Sequence, residues 1–168
     1  MLRKVRVLVV VAFTAAVAAV ATPAHGAPVA CGVGTAKKAV TATKLRMKLL
    51  GPGTVLISPS SVDRVICHDF TRDGRTDVAV TIASGGTAGD VGFAVFRSVP
   101  GGWQVALARD GYKIGLFRVG NDLVSSQPVY RRNDPNCCPT GGFDHQHFHW
   151  NGTRFVVARN WHTKAFHP

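Results

Sequence analysis

The sequence predicts a mainly β fold of the α+β class, in which one N-terminal helix packs on an antiparallel β-sheet of hairpins stapled by disulfides. Three observations lead to this prediction. After residue 60 the chain falls into short apolar or alternating segments separated by Gly, Pro, Asn and Asp, only one earlier segment has helical spacing, and four cysteines follow an export-type N-terminus.

The first 26 residues have the order of a secretory signal. Three basic residues precede an apolar run of about fifteen residues, and small residues follow it. The run is shorter than the roughly 20 residues that a membrane span needs. We therefore predict a signal peptide at 1–26 and a single secreted β-rich domain at 27–168, extracellular or associated with the cell envelope, with no transmembrane segment after cleavage.

The chain is strongly basic. It has 20 Lys and Arg against nine acidic residues, all of them Asp, for a net charge of +11. Signal removal would leave 17 basic residues and a net charge of +8. Such a charge attracts anionic surfaces, so the expected partner is an anionic cell-envelope polymer or another exported protein. An exported location argues against nucleic acid. The other interpretation is that the charge only confers solubility.

A helix is predicted at about 35–50. Ala36, Val40, Leu45 and Leu49 follow near-helical spacing, and the sequence Gly-Pro-Gly comes directly after the segment. The opposite face is basic, which suits either an anionic surface or a helix that packs on a sheet with its lysines in water. Five residues form this basic cluster: Lys37, Lys38, Lys44, Arg46 and Lys48.

Strands are predicted over about 62–160. The hairpin with Asn-Gly at its tip, "FDHQHFHWNGTRFVVARNW", carries the strongest short-range hairpin signal. The other strand segments are "VDRVICHD", "TDVAVTIA", "VGFAVFRSVPGGWQVALARD" and "YKIGLFRVGNDLVSSQPVY".

The four cysteines predict two disulfides, because an even count in an exported chain indicates a disulfide framework. Neighbouring cysteines rarely bond to each other, since the eight-membered ring is strained. We therefore expect Cys137 and Cys138 to pair with Cys31 and Cys67, in either of the two combinations.

A cluster of acidic residues at 69–77, the acidic loop, has the spacing of a weak calcium site. Calcium takes six to eight oxygen ligands, and Gly74 permits a sharp turn at the middle of the loop. Val80 stands where an EF-hand has Glu, so an EF-hand is excluded. The alternative is an Asp-Gly turn whose carboxylates bind backbone amides. The candidate ligands are Asp69, Thr71, Asp73, the Arg75 carbonyl and Asp77.

Two resemblances accompany these residues. The acidic loop resembles the DxxxDGxxD loop of FG-GAP/VCBS-type repeats. Together with "SGGTAGDVGFAVFR", "PVYRRNDPNCCPTGG" and "W-N-G-x-x-F", it also resembles the LppP/LprE-like family of exported actinobacterial proteins, over roughly residues 60–158. That family resemblance implies a location at the cell envelope more than an activity.

The strand "FDHQHFHW" is the second candidate metal site. Alternation of strand side chains places His145, His147 and His149 on one face and Phe148 and Trp150 on the other. Imidazoles at this spacing suit zinc or copper, but the first and third lie about 13 Å apart along a strand. A site would therefore combine two of them with another ligand; the alternative is a solvated polar face. The candidate partners are Asp63, Asp144, His162 and His167.

The sequence contains no nucleophile elbow, no phosphate-binding glycine loop and no H-E-x-x-H motif. It therefore favours a secreted, non-catalytic binding or structural module of the cell envelope, with calcium stabilising the acidic loop. The alternative is a metal-dependent enzyme or metal-binding protein that uses the His145, His147 and His149 strand.

Overall fold

The computed structural model describes residues 30–49 and 51–166. The predicted signal peptide and His167 lie outside these residues. One helix, α1 (Val33–Thr43), is followed by ten strands and a short 3-10 turn, Pro59–Ser61. The strands are β1 (Arg46–Lys48), β2 (Thr54–Leu56), β3 (Val62–His68), β4 (Asp77–Ala83), β5 (Asp90–Val99), β6 (Gly102–Asp110), β7 (Gly115–Val119), β8 (Asp122–Pro128), β9 (Phe143–Trp150) and β10 (Phe155–Thr163).

The described chain forms three layers. An outer layer contains α1 and the β1–β2 hairpin, a first sheet has the order β3-β4-β5-β6, and a second has the order β10-β9-β8-β7. Every strand pair is antiparallel. The predicted class, a mainly β protein with an N-terminal helix and antiparallel hairpins, is therefore confirmed.

Each face of the first sheet buries a separate core. Because side chains alternate between the two faces of β4, Val78 and Val80 face α1, while Ala79 faces the second sheet. Between the two sheets, the rings of Phe93 and Phe148 meet edge to face with centroids 5.5 Å apart. This arrangement explains why β4 and β5 are almost continuously apolar: both of their faces are covered.

The helix is shorter than the predicted 35–50. Lys44 adopts a left-handed conformation (φ 48°), and its N–H donates to the carbonyl of Thr41. The N–H of Leu45 donates to the carbonyl of Val40, which completes a Schellman motif. The side chains of Leu45 and Val40 are both buried in the same core. This local motif ends the helix two turns early.

Residues 46–48 form a strand instead of the last helical turn. Met47 is buried while Arg46 and Lys48 are exposed, which is the two-residue period of a strand. The β1–β2 hairpin then forms around residues 51–53, so the Gly-Pro-Gly sequence is a hairpin connection and not a helix stop. The alternation in "LRMKL" was the signal that could have identified this hairpin.

The cysteine pairing differs from the expected one. Cys31 bonds to Cys67, which ties the start of the outer layer to β3, and Cys137 bonds to its neighbour Cys138. The expectation that Cys137 and Cys138 each pair with a distant cysteine is therefore wrong. The loop that carries the vicinal pair is held by its own hydrogen bonds.

No helix in the described part of the chain is both long enough and apolar enough to span a bilayer.

Candidate functional site

The acidic loop connects β3 to β4, and its first carboxylate binds the loop's own backbone. Asp69 accepts hydrogen bonds from the N–H groups of Asp73 (3.0 Å) and Gly74 (2.9 Å). Gly74 has φ 81°, a conformation that glycine adopts without strain. Asp69 and Gly74 together fold the loop back on itself.

The second carboxylate joins the loop to the neighbouring β5. Asp73 accepts from the N–H of Arg75 at 3.1 Å. Its other oxygen accepts from Nε (3.1 Å) and Nη2 (2.9 Å) of Arg97. Arg97 in turn lies over the ring of Trp150, 5.6 Å from its centroid. The loop is thus connected to the second sheet through one arginine.

The third carboxylate, Asp77, is fully buried at the start of β4. One oxygen accepts from the N–H and the hydroxyl of Thr71, both at 2.9 Å, and the other accepts from the N–H of Ser98 at 3.0 Å. Burial raises the pKa of Asp77, against the hydrogen bonds from Ser98 and Thr71, which lower it. Asp77 is therefore a buried acceptor that fixes the end of the loop against β5.

The chain's own donors thus engage every carboxylate predicted to bind calcium. Asp69, Asp73 and Asp77 each accept at least two hydrogen bonds. Within the described residues, no group of three or more His, Cys, Asp or Glu side chains is arranged to hold a metal ion. The geometry of the loop is that of an Asp-Gly turn, and calcium binding stays a prediction.

Two of the three predicted histidines meet at a single carboxylate. Nε2 of His147 lies 2.9 Å from Oδ2 of Asp122, and Nδ1 of His149 lies 3.0 Å from Oδ1. Phe148 points into the core between the sheets, so these imidazoles lie on the outer face of the second sheet. Asp122, His147 and His149 form the histidine cluster, a carboxylate held between two imidazoles.

His145 does not join the histidine cluster. Its side chain is buried, its Nε2 lies 2.8 Å from the hydroxyl of Thr163, and its ring stacks on Trp161 with centroids 4.9 Å apart. Of the other proposed ligands, Asp144 and His162 pair with each other at 2.8 Å, and Asp63 lies on β3 in the other sheet.

The acidic loop and the histidine cluster are neighbours, which the sequence does not reveal. Nη2 of Arg72, in the acidic loop, lies 3.9 Å from Asp122. Nearby, Nε2 of His68 at the end of β3 is 2.7 Å from the side-chain oxygen of Asn121. The sequence places Asp122 in a strand segment but does not reveal its approach to the histidines, because that approach depends on the register that pairs Val124 with His147.

The basic cluster lies in the outer layer, and all five of its side chains are exposed. Burial of Ala36, Ala39 and Val40 leaves Lys37 and Lys38 on the solvent side of α1. The remaining members, Lys44, Arg46 and Lys48, lie at the end of the helix and on β1. The basic residues are therefore distributed over a helix and a hairpin, and not along one helix face as predicted.

In comparisons with known proteins, no protein-family model, no curated protein and no solved structure matches this chain.

Proposed function

We propose that this protein is an exported, non-catalytic binding module of the cell envelope, and that its outer layer binds an anionic polymer. The observation that carries this proposal is the charge of that layer. The first acidic residue in the sequence is Asp63, so residues 30–62 hold five basic side chains and no acidic one. Residues 63–166 hold 12 basic and nine acidic side chains, a net charge of only +3.

The five cations lie in the same layer of the fold. Arg46 and Lys48 lie two residues apart on a strand and project to the same side, away from buried Met47. Lys37 and Lys38 project from the solvent side of the helix in the same layer. The described chain gives none of the five an acidic partner within 4 Å. Their charge is therefore available to an external anion.

Phosphate-rich polymers suit such a surface better than a single small anion. Lysine acts as a mobile point charge that needs no fixed bidentate geometry, and several weak contacts along a polymer add up. Attraction of this kind is screened by salt, because the Debye length falls from about 10 Å at 0.1 M to about 3 Å at 1 M. Strong salt dependence is therefore the expected signature.

The polar clusters support a structural rather than a catalytic role for the rest of the molecule. The buried carboxylate of Asp77 binds three protein donors, and Asp122 is held between two imidazoles. Both arrangements fix one sheet connection against another. The same internal bonds rigidify the support on which the outer layer is carried.

The direct test measures binding of the oxidised protein to synthetic polyglycerol phosphate at low and high salt. Two quadruple variants have the same net charge, and all substitutions are to Gln. Lys44 is left unchanged because its left-handed backbone ends the helix. The outer-layer variant changes Lys37, Lys38, Arg46 and Lys48, and the control changes exposed Arg75, Arg131, Arg132 and Arg154.

We expect the outer-layer variant to bind at least tenfold more weakly, a loss of about 1.4 kcal/mol, and the control to change about twofold or less. Equal losses in both variants would show that net charge alone, and not the outer layer, causes the attraction. Binding that persists at about 1 M salt would also contradict the proposal.

Calcium at the acidic loop is a separate proposal, supported by the spacing of its oxygen ligands. Calcium would have to compete with the Arg97 guanidinium for Oδ2 of Asp73, whereas each oxygen of Asp69 accepts only one backbone N–H and keeps a second acceptor site. Millimolar calcium should then raise the melting temperature of EDTA-treated protein, and Asp73→Ala should abolish the increase. The absence of an increase in melting temperature would refute the calcium proposal.

The metal-binding alternative is supported by the two imidazoles that meet at Asp122. It predicts that zinc raises the melting temperature and that His147→Ala abolishes this increase.

A further inference from the structure

A pocket of about 520 Å³ lies on the side of the second sheet where β7, β8 and β9 meet the long loop between β8 and β9. Small-molecule sites in proteins typically measure about 300–1,000 Å³. The pocket involves neither the acidic loop nor the basic cluster. It is therefore a separate candidate site.

Aromatic rings form one wall of the pocket. Phe166 contacts Phe117 and Phe143, with ring centroids 5.6 and 5.4 Å apart. The ring of Tyr130 and the side chain of Ile114 also line the pocket. Flat aromatic walls favour a flat apolar ligand, because stacked and edge-to-face contacts add to the area that burial removes from water.

Ser126 lines the pocket but is only 2% exposed, and its Oγ, which has no hydrogen-bond partner among the described residues, is itself buried. A ligand in the pocket therefore does not reach this oxygen. The polar contacts must come from the charged residues of the lining.

The charges at the pocket favour an anion. Arg64 is exposed and has no ion pair within 4 Å in the described chain. Lys113 contributes a second cation while its Nζ donates to the carbonyl of Asn136. Asp90 also lines the pocket, so the lining carries two cations and one carboxyl group. Cations therefore outnumber carboxylates at the pocket wall.

The remaining wall is preorganised. The carboxylate of Asp134 accepts from the N–H of Arg131 and from the N–H and hydroxyl of Thr140, all at 2.7 Å. The vicinal disulfide places Cys137 at the pocket surface, and the hydroxyl of Tyr130 donates to the carbonyl of Asn136 at 2.8 Å. A loop fixed in this way reduces the entropy that a ligand must overcome on binding.

We propose that this pocket binds a small organic acid with a flat apolar body, whose ring packs against Phe117, Phe143 and Phe166 and whose acidic group is held by Arg64. This site does not depend on the proposed polymer-binding surface, because none of the basic cluster lines the pocket.

Two fluorescent probes with the same aromatic body separate the contributions of shape and charge. 8-Anilinonaphthalene-1-sulfonate carries one anionic group, and N-phenyl-1-naphthylamine carries none. Titrations of the wild-type protein would be compared with Arg64→Gln and with the control Arg154→Gln, which removes an equal charge from the distant β9–β10 turn. Circular dichroism establishes that each variant is folded.

We expect the wild-type protein to bind one sulfonate probe per chain. Arg64→Gln should weaken that binding by about five- to tenfold, the effect of one lost charge contact, and should change binding of the neutral probe about twofold or less. Arg154→Gln should change neither.

The absence of saturable binding would overturn the proposal. Equal affinity of the sulfonate probe for Arg64→Gln and Arg154→Gln would also overturn it, since the probe would then bind elsewhere. Tighter binding of the neutral probe than of the sulfonate would show that the pocket does not select an acid.

Discussion

Substitution of Asp77 by Asn tests whether the acidic loop is held by internal hydrogen bonds. Asp77 accepts from three donors, two on Thr71 and one on Ser98, whereas Asn has only one acceptor oxygen. If that oxygen keeps the bonds from Thr71, the amide NH₂ must face the N–H of Ser98. The variant loses a hydrogen bond to a charged group, worth about 1.5–3 kcal/mol, and leaves a buried N–H unsatisfied at about 1–3 kcal/mol.

Removal of a buried charge offsets part of this loss, so we expect a net destabilisation of about 2–4 kcal/mol. For a domain of this size each kcal/mol lowers the melting temperature by about 4 °C, so the expected decrease is about 8–16 °C. Urea denaturation in EDTA at neutral pH measures the free energy directly. Asp110→Asn, an exposed change on β6, should cost about 0.5 kcal/mol or less. If Asp77→Asn and Asp110→Asn had the same free energy of unfolding, the claim that internal hydrogen bonds hold the acidic loop would be refuted.

Three further predictions concern the cross-links and the pocket. Replacing Cys31 and Cys67 by Ser should lower the free energy of unfolding by about 4 kcal/mol, because that bond joins residues 36 positions apart. Replacing Cys137 and Cys138 by Ser should lower the free energy of unfolding by only about 1 kcal/mol, because a bond between adjacent residues closes almost no loop in the unfolded chain. Equal losses of the two double variants in urea denaturation would contradict both values. Burial raises the pKa of Asp90 above its ordinary 3.8, so its contribution to stability is present below that value and is lost as pH rises through the folded-state pKa. The stability of the wild type relative to Asp90→Asn should therefore fall as the pH is raised from below 3.8 toward neutrality; a rise would contradict the assignment.

Strand positions after residue 60 were predictable because each strand carries its own signal. β4 is apolar along its length, β9 and β10 flank Asn-Gly, and β5 and β6 flank Pro-Gly-Gly. These signals are local, since side-chain alternation and turn chemistry depend only on neighbouring residues. The β1–β2 hairpin was missed because Leu, Met, Lys and Arg also favour helices. Tertiary packing of Met47 and the Schellman motif at Lys44 decided between the two structures.

The candidate sites were predictable only in part. The sequence placed the acidic loop and the alternating histidines correctly on their elements. It did not indicate that the carboxylate of Asp122 contacts two of the imidazoles, that His145 stacks on Trp161, or that Ser126 lines a pocket. Each of these contacts joins strands whose relative register no local pattern specifies.

By itself the sequence determined the class of fold, the strand-rich composition, the basic charge and the Asn-Gly hairpin turn, because these follow from composition, from turn chemistry and from spacing of two or 3.6 residues. Only the tertiary structure decided the end of the helix, the pairing of the cysteines, the partners of the histidines and the existence of the pocket. All four depend on which distant segments are brought together, and that choice is made by the packing of two sheets and a helix around two shared cores.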